Sequence, residues 1–221
     1  PGVLTAASGP GTLNLITGVY TAAIDCAPMV ILGGASPVHE ISRDAFQEVD
    51  QVGIMQPLCK YWHRPTMASR YPEIVSTAYR QAQSGRPGPT YIDCGGDVLY
   101  EEVEESDIFP PTRAETRSRP AAESAVVDKA MDLISKAEKP LIFAGGGAFF
   151  SGAASELERF VDITNIPFYT APMSRGLVPE DHRVSFPAAR STAMREADVV
   201  LVVGTRLNWM MNYGRRFNPN A

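Results

Sequence analysis

Short, continuously apolar runs recur along the chain and are bounded by glycine, proline or aspartate. Strands of a parallel sheet are covered on both faces, so they appear in a sequence as unbroken apolar runs. We predict seven such strands: Val3–Ala6, Met29–Leu32, Leu58–Trp62, Pro89–Asp93, Leu141–Ala144, Pro167–Thr170 and Val199–Val203.

The segments between these runs place apolar residues three or four positions apart, which is the period of a helix with one buried face. The predicted helices are 12–24, 46–55, 71–83, 122–137, 153–164 and 187–197. Thr12 is the candidate cap of the first helix. Because strands and helices alternate in both halves of the chain, the pattern predicts an α/β fold with two doubly wound parallel-sheet domains.

An acidic and proline-rich stretch separates the two alternations. Residues 99–120 combine a cluster of glutamates with Pro110, Pro111 and Pro120, a composition that favours an extended linker over a packed core. We therefore predict one domain at 1–98 and a second at 121–221. Both chain ends lie close to predicted buried strands, so we expect both domains to be incomplete and the chain to be an internal piece of a longer protein.

Composition and net charge narrow the classes of molecule that this protein can bind. Hydrophobic residues make up 44% of the chain, charged residues 20%, and the net charge is −5. This balance gives no general attraction to nucleic acid or to an anionic membrane surface, and no apolar run reaches the length of a membrane span. The three cysteines are widely spaced, which fits a reducing, cytoplasmic environment and not a disulfide framework.

Glycine clusters follow the predicted strands, at the positions where parallel sheets bind ligands. They are Gly9–Gly11, Gly33–Gly34, Gly145–Gly147 and Gly204. Each cluster can serve a bound cofactor or can simply make a tight turn, and the pattern alone leaves both readings open.

The cluster at Gly145–Gly147 lies where a predicted strand passes into a helix. Backbone N–H groups there can approach a phosphate closely. The dinucleotide fingerprint is not met, however, because Phe150 occupies the position of its third glycine and no acidic residue follows Tyr169–Thr170. An NAD-dependent dehydrogenase is therefore disfavoured.

An ordered set of motifs resembles thiamine-diphosphate-dependent enzymes of the 2-hydroxyacyl-CoA lyase, oxalyl-CoA decarboxylase and acetolactate synthase type. The first half resembles the later part of their pyrimidine-binding domain, through Ser8–Gly18, Asp25–Met29, Ala45–Gln51 and Gly85–Pro89. The second half resembles the start of their central, Rossmann-like domain, through Lys139–Gly147, Pro172–Gly176, Ala197–Asp198 and Gly204–Arg206.

The resemblance implies thiamine diphosphate and Mg²⁺ as cofactors of the full-length protein. By position, Pro10, Gly11 and Asn14 would bind the pyrimidine ring, and the catalytic candidates Gln47 and Glu48 would face the reacting carbon. The family's activating glutamate and its metal-binding Gly-Asp-Gly motif have no counterpart in this sequence. We therefore assign no metal ligand within the chain.

In the second half, the resemblance implies a site for an adenine nucleotide: ADP, the nucleotide of CoA, or FAD. The residues that would hold it are Gly145, Gly146, Gly147, Ala148 and Arg206.

Asn208–Trp209 favours the branch that cleaves 2-hydroxyacyl-CoA or oxalyl-CoA substrates through a thiazolium ylid. Acetolactate synthase, which condenses 2-oxo acids and contains FAD, remains an alternative. A non-catalytic nucleotide-binding module is a second one. We expect a homodimer or homotetramer, an apolar partner surface near 9–24, and no activity from this chain alone.

Overall fold

Two separate parallel sheets organise the computed structural model, which describes residues 1–108, 111 and 120–221. The chain divides into two units, Pro1–Ser118 and Arg119–Ala221. The predicted linker at 99–120 is only partly covered, because 109–110 and 112–119 lie outside the described residues. A short helix, Gly96–Leu99, ends at the first residue of the predicted linker, and a 3₁₀ turn occupies Glu105–Asp107 within it.

The sheet of the first unit has the strand order β1-β2-β4-β3. Its strands are β1 (Gly2–Ala6), β2 (Met29–Ala35), β3 (Tyr61–His63) and β4 (Pro89–Gly95). All neighbouring strands pair in parallel. Every residue of β4 is buried, so this strand forms the centre of the unit.

Helices cover both faces of this sheet. They are α1 (Pro10–Leu13), α2 (Ile16–Asp25), α3 (Gln51–Met55), α4 (Tyr71–Gln83) and α5 (Gly96–Leu99). Val30 and Ile92 point to the face covered by α4, and Ile31 and Tyr91 point to the face covered by α2 and α3. The alternation follows from the two-residue period of a strand.

The second unit repeats this plan with the strand order β6-β5-β7. Its elements are α6 (Ser124–Lys136), β5 (Pro140–Ala144), α7 (Gly146–Ser151), α8 (Ala154–Thr164), β6 (Phe168–Thr170), α9 (Arg190–Glu196) and β7 (Val199–Val203). Ile142 packs with α6 and α8 on one face, and Phe143 packs with α9 on the other. The prediction of an α/β fold with two doubly wound parallel sheets is confirmed.

The predicted helix at 12–24 is wrong in detail, because it is divided into α1 and α2. Gly9 stands at the amino-terminal cap of α1, and Thr12 is not a cap. Thr12 is instead fully buried, and its hydroxyl donates to the Ala7 carbonyl oxygen over 3.0 Å. A buried hydrogen bond therefore replaces the capping role that the sequence suggested.

The predicted helix at 46–55 begins later than expected, at Gln51. Gln47 has φ 57°, a left-handed conformation that an α-helix does not contain. Asp50 then caps α3 by accepting a hydrogen bond from the Gly53 amide over 2.9 Å. The strand predicted at 58–62 is likewise displaced, to Tyr61–His63.

Candidate functional site

A turn around Gly9 lies at the carboxyl edge of the first sheet, where β1 ends. Gly9 has φ 56°, and a Cβ at this position would collide with the carbonyl oxygen of Gln47. Glycine is therefore required both by the backbone conformation and by the close approach of a second loop. The structure brings the Gly9 turn and Gln47 together, as the predicted cofactor site needs.

Helix α1 displays the predicted pyrimidine-binding residues on its outer side. Pro10 and Asn14 are exposed and Gly11 is half-buried, whereas Thr12 between them is buried. Beyond them on α2, Tyr20 and Ile24 are 54% and 41% exposed. The segment 10–24 therefore exposes both polar and apolar side chains.

Gln47 is exposed and its side chain lies against the same turn. Its Oε1 accepts a hydrogen bond from the Ser8 hydroxyl over 3.1 Å. The amide nitrogen of the side chain remains available to a ligand on the outer surface, since the side chain is largely in solvent. Its neighbour Phe46 is 85% exposed.

Glu48, the second catalytic candidate, is engaged within its own loop. Its carboxylate accepts hydrogen bonds from the backbone amides of Ser42 over 2.5 Å and of Ala45 over 3.0 Å. These hydrogen bonds hold the pKa of Glu48 below its ordinary value. The carboxylate therefore closes the loop 42–48, and its charge is directed towards that loop.

Beneath the turn lies a buried polar network that the sequence did not suggest. Gln51 is 2% exposed and Asp93 is fully buried. The Gln51 amide contacts Asp93 over 2.8 Å and the Tyr91 hydroxyl over 3.1 Å, and Arg64 forms an ion pair with Asp93. Burial and the neighbouring Asp93 raise the pKa of Tyr91. In the sequence, a sign of this network is Asp93, an acidic residue at the end of the predicted apolar strand Pro89–Asp93.

In the second unit, the glycine cluster is tightly packed against a neighbouring turn. The amides of Gly145, Gly147 and Ala148 donate to the backbone carbonyl oxygens of Val203, Gly204 and Gly145 over 2.8, 2.7 and 3.0 Å. A Cβ at Gly145 or Gly147 would collide with the turn after β7. These three amides are therefore engaged within the protein, and the observed packing explains the glycines without a phosphate.

A pocket of about 270 Å³ lies at the carboxyl edge of this second sheet. Its lining is Phe143, Ala171, Pro172, Arg190, Thr205, Asn208, Trp209, Met210, Met211 and Arg216. Arg190 lies over the ring of Phe143, 5.4 Å from its centroid. The predicted residues Gly145–Ala148 and Arg206 do not line this pocket.

Arg190 and Arg216 are thus the cationic residues that the sequence analysis missed. Arg190 falls within the motif Ala188–Arg190 that resembles the family's central domain, but no binding role was assigned to it, and Arg216 lies outside every motif. Asn208 and Trp209 were noted only as markers of a branch, and the structure places both in the pocket lining.

Two further properties bear on the chemistry. Among the residues that the structure describes, no three His, Cys, Asp or Glu side chains gather as a group able to hold a metal ion. No described helix has the length and apolar character needed to cross a membrane.

Two family models match successive parts of the chain. The N-terminal TPP binding domain of thiamine pyrophosphate enzymes matches residues 1–54, and the central domain of thiamine pyrophosphate enzymes matches residues 127–221. Together these matches cover more than half of the chain, in the order that the sequence analysis predicted.

Full-length relatives extend the similarity across the region between the two matches. A 2-hydroxyacyl-CoA lyase of Arabidopsis thaliana is 39% identical over 97% of this chain and 38% of its own length. An oxalyl-CoA decarboxylase of Escherichia coli is 33% identical over 98% of the chain and 39% of its own length. A probable acetolactate synthase large subunit of Methanocaldococcus jannaschii is 35% identical over 94% of the chain and 37% of its own length.

The chain therefore spans less than two fifths of the length of these relatives. Its parallel sheets and the order of its two units are consistent with the two matched domains. The chain belongs to the family of thiamine pyrophosphate enzymes.

Proposed function

We propose that the full-length protein is a thiamine-diphosphate-dependent carbon–carbon lyase or decarboxylase acting on 2-hydroxyacyl-CoA or oxalyl-CoA substrates. The observation that carries this proposal is the meeting of the Gly9 turn with Gln47 at the carboxyl edge of a parallel sheet. Similarity to a 2-hydroxyacyl-CoA lyase over 97% of the chain supports the substrate class.

The residues at this edge fit the pyrimidine end of the cofactor. Pro10, the first residue of α1, and Asn14, at its carboxyl-terminal cap, are exposed and offer an apolar ring and a carboxamide, while Gly11 allows α1 to pack closely against Ala7. When bound, thiamine diphosphate supplies the carbanion chemistry, and the protein supplies binding and orientation. In this arrangement Gln47 orients the reacting end through its exposed carboxamide.

Mg²⁺, which would bridge the cofactor's diphosphate to the protein, needs hard oxygen ligands from protein side chains. The described residues gather no such group, so we assign this role to parts of the full-length protein other than the residues named here. We also assign the activating acid to no residue of this chain, because the Glu48 carboxylate is engaged in its own loop.

The pocket of the second unit is proposed to bind an adenine nucleotide, which is ADP, the nucleotide of CoA, or FAD. Arg190 and Arg216 supply positive charge for phosphate oxygens, and Trp209 supplies an aromatic face. Gly145–Ala148 and Arg206, which do not line this pocket, are not needed for it.

Titration calorimetry with ADP tests this assignment. Arg190→Ala should weaken binding by about tenfold or more, because a charge-assisted hydrogen bond is lost. Arg195→Ala is the matched control, since Arg195 is on the same helix α9 but does not line the pocket. Equal affinities for the two variants would remove the pocket from the proposal.

Acetolactate synthase is the alternative activity, supported by the similarity to the Methanocaldococcus jannaschii protein. Assays of the full-length protein with thiamine diphosphate and Mg²⁺ separate the two. Cleavage of a 2-hydroxyacyl-CoA or release of carbon dioxide from oxalyl-CoA supports the lyase or decarboxylase, whereas acetolactate formation from pyruvate alone would replace it with the alternative. Cofactor binding without turnover of any of these substrates would favour a non-catalytic module.

The full-length protein is further proposed to be a homodimer or homotetramer. Tyr20 and Ile24 are exposed apolar side chains one helical turn apart on α2, the helix that follows the residues of the proposed pyrimidine site, and exposed apolar patches commonly mark protein contacts. Light scattering of the full-length protein and of Tyr20→Asp tests this point, because a charge in the contact should shift the protein towards the monomer.

A further inference from the structure

One buried glutamine connects the sheet to the turn that carries the proposed cofactor site. Gln51, the first residue of α3, accepts a hydrogen bond at Oε1 from the Gly9 amide over 2.5 Å. Its Nε2 donates to the Gly34 carbonyl oxygen over 2.9 Å and to Asp93 over 2.8 Å. The side chain thus links the turn after β1 to residues near the carboxyl ends of β2 and β4.

The surroundings fix the orientation of this side-chain amide. The Gly9 amide can only donate, whereas the Gly34 carbonyl and the Asp93 carboxylate can only accept. If the side-chain amide were rotated by 180°, its NH₂ group would face the Gly9 N–H, and its oxygen would face the Gly34 carbonyl and the Asp93 carboxylate. Gln51 is therefore held in one orientation by its chemistry and not by packing alone.

The acceptor end of the network is held just as firmly. Asp93 is fully buried, it accepts a hydrogen bond from the Tyr91 hydroxyl over 2.5 Å, and it pairs with Arg64. A buried carboxylate is retained at low cost only where it is paired and hydrogen-bonded. The sheet therefore provides a fixed polar anchor directly below the turn.

We infer that Gln51 is a positioning residue that sets the place of the Gly9–Gly11 turn relative to Gln47. This rests on the proposed function, in which that turn and Gln47 contact the cofactor. Gly9 is buried and packs against the Gln47 backbone, so a displaced Gly9 amide also displaces Gln47. Gln51 itself is enclosed below the turn and acts only through these neighbours.

The variant Gln51→Glu separates positioning from mere packing because it keeps the shape of the side chain. An ionised glutamate still accepts from Gly9, but its second oxygen faces the Gly34 carbonyl and the Asp93 carboxylate, which only accept, and the Tyr91 hydroxyl, whose proton is already donated to Asp93. With one proton added, the acid reproduces the hydrogen-bond pattern of glutamine. Burial and the facing Asp93 carboxylate raise the pKa of the introduced acid, while the cation of Arg64 on the far side of Asp93 lowers it. The variant should therefore recover as the pH falls.

Isothermal titration of the full-length protein with thiamine diphosphate at saturating Mg²⁺ provides the test. Relative to wild type at the same pH, Gln51→Glu should bind about tenfold more weakly near pH 8, since at least one buried hydrogen bond is lost. Near pH 6 its affinity should approach that of the wild type. Gln56→Glu, an exposed change at the end of the same helix, should match the wild type at both values.

A second variant protects the test against a folding defect in the first. Gln51→Met has a similar shape and no charge, so it should weaken cofactor binding at both pH values without recovery. Hydrogen exchange of the cofactor-free protein gives an independent readout: the peptide containing Gly9–Leu13 should exchange faster in both Gln51 variants than in Gln56→Glu.

The outcomes separate the two levels of the proposal. Wild-type cofactor affinity in Gln51→Met, or unchanged exchange at Gly9–Leu13, overturns the positioning role of Gln51. A wild-type protein that fails to bind thiamine diphosphate overturns the proposed function itself, whatever the exchange of the turn shows.

Discussion

Gln47 combines exposure with a left-handed backbone, and both properties suit a residue that faces a ligand. A non-glycine residue at φ 57° carries a conformational strain of roughly 1 kcal/mol or more. The Ser8 hydrogen bond and the contact with Gly9 hold Gln47 in this conformation and offset the strain. Strained residues of this kind are concentrated at binding sites.

Truncation of Gln47 tests its place at the reacting end. In the full-length protein, Gln47→Ala should lower kcat by about tenfold or more while changing cofactor affinity less, because the lost carboxamide acts on the reacting group. Steady-state kinetics and cofactor titration measure the two effects. Gln56→Ala is the control, and unchanged kcat in Gln47→Ala would remove Gln47 from the site.

The network at Gln51 shows which information at the residue scale is not in the sequence pattern. Gly9 and Gln51 are 42 residues apart along the chain, and Gln51 and Asp93 are a further 42 apart. Polar residues at such distances show no periodicity, so only the fold reveals that they meet. The exposed candidates Pro10, Asn14 and Gln47 could be suggested earlier because they fall within contiguous motifs of the family.

At the scale of elements, the loop 42–48 is organised by one charge. Ser42, Asp44 and Gln47 all have positive φ, and Glu48 satisfies two amides of this strained segment. The pKa of Glu48 is lowered in the folded protein, so its ionised form stabilises the loop. That stabilisation is complete above the ordinary value of 4.5 and is lost as the pH falls through the lower folded value.

Neutralising Glu48 should therefore loosen the loop at neutral pH, where the wild-type carboxylate is ionised, and should have little effect once the pH falls below its folded pKa. We expect Glu48→Gln to increase the rate of tryptic cleavage after Arg43 by about three- to tenfold, because cleavage follows local opening. Limited proteolysis with mass spectrometry measures the rate. Glu102→Gln, which changes an exposed acid of the same unit, is the control, and equal cleavage of the two variants would contradict the role of Glu48.

Close packing of the Gly204 turn in the second unit leads to a prediction about the free energy of unfolding. Gly204 has φ 60°, and a Cβ there would collide with the Ala148 amide nitrogen and the Gly147 backbone. Because backbone atoms cannot rotate away, Gly204→Ala should reduce the free energy of unfolding by about 3 kcal/mol. A Cβ at Gly96 meets nothing within 4 Å, so Gly96→Ala should change it by less than about 0.5 kcal/mol.

Urea unfolding followed by circular dichroism distinguishes these two glycines. A Gly204→Ala protein as stable as Gly96→Ala would show that the two turns are not packed as described.

Most strands and the long helix α4 could be predicted closely from the sequence. The run Val199–Val203 matches β7 residue for residue, because its side chains pack partly against the cores on both faces of the sheet and are therefore apolar without interruption. Helix α7 was missed because Gly146–Gly147 disfavours a helix by propensity. Its position depends on packing against the turn after β7, which the local sequence does not show.

At the scale of the whole molecule, charge and ligand chemistry set what this chain can do by itself. The proposed pyrimidine site offers the neutral side chains of Pro10, Asn14 and Gln47 at its surface. The described residues gather no metal-binding group, and the chain carries a net charge of −5. Nothing in this arrangement compensates the negative charge of a diphosphate.

We therefore expect the 221-residue chain alone to show no thiamine-diphosphate-dependent turnover. Carbon dioxide and aldehyde release should stay at the level without enzyme, while the full-length protein under the same conditions is active. Affinity should separate in the same way: thiamine diphosphate should bind the isolated chain at least about a hundredfold more weakly, because the metal-bridged diphosphate contributes several kcal/mol of the binding energy. Turnover by the isolated chain would mean that these exposed neutral residues, with no bridged metal, suffice for catalysis.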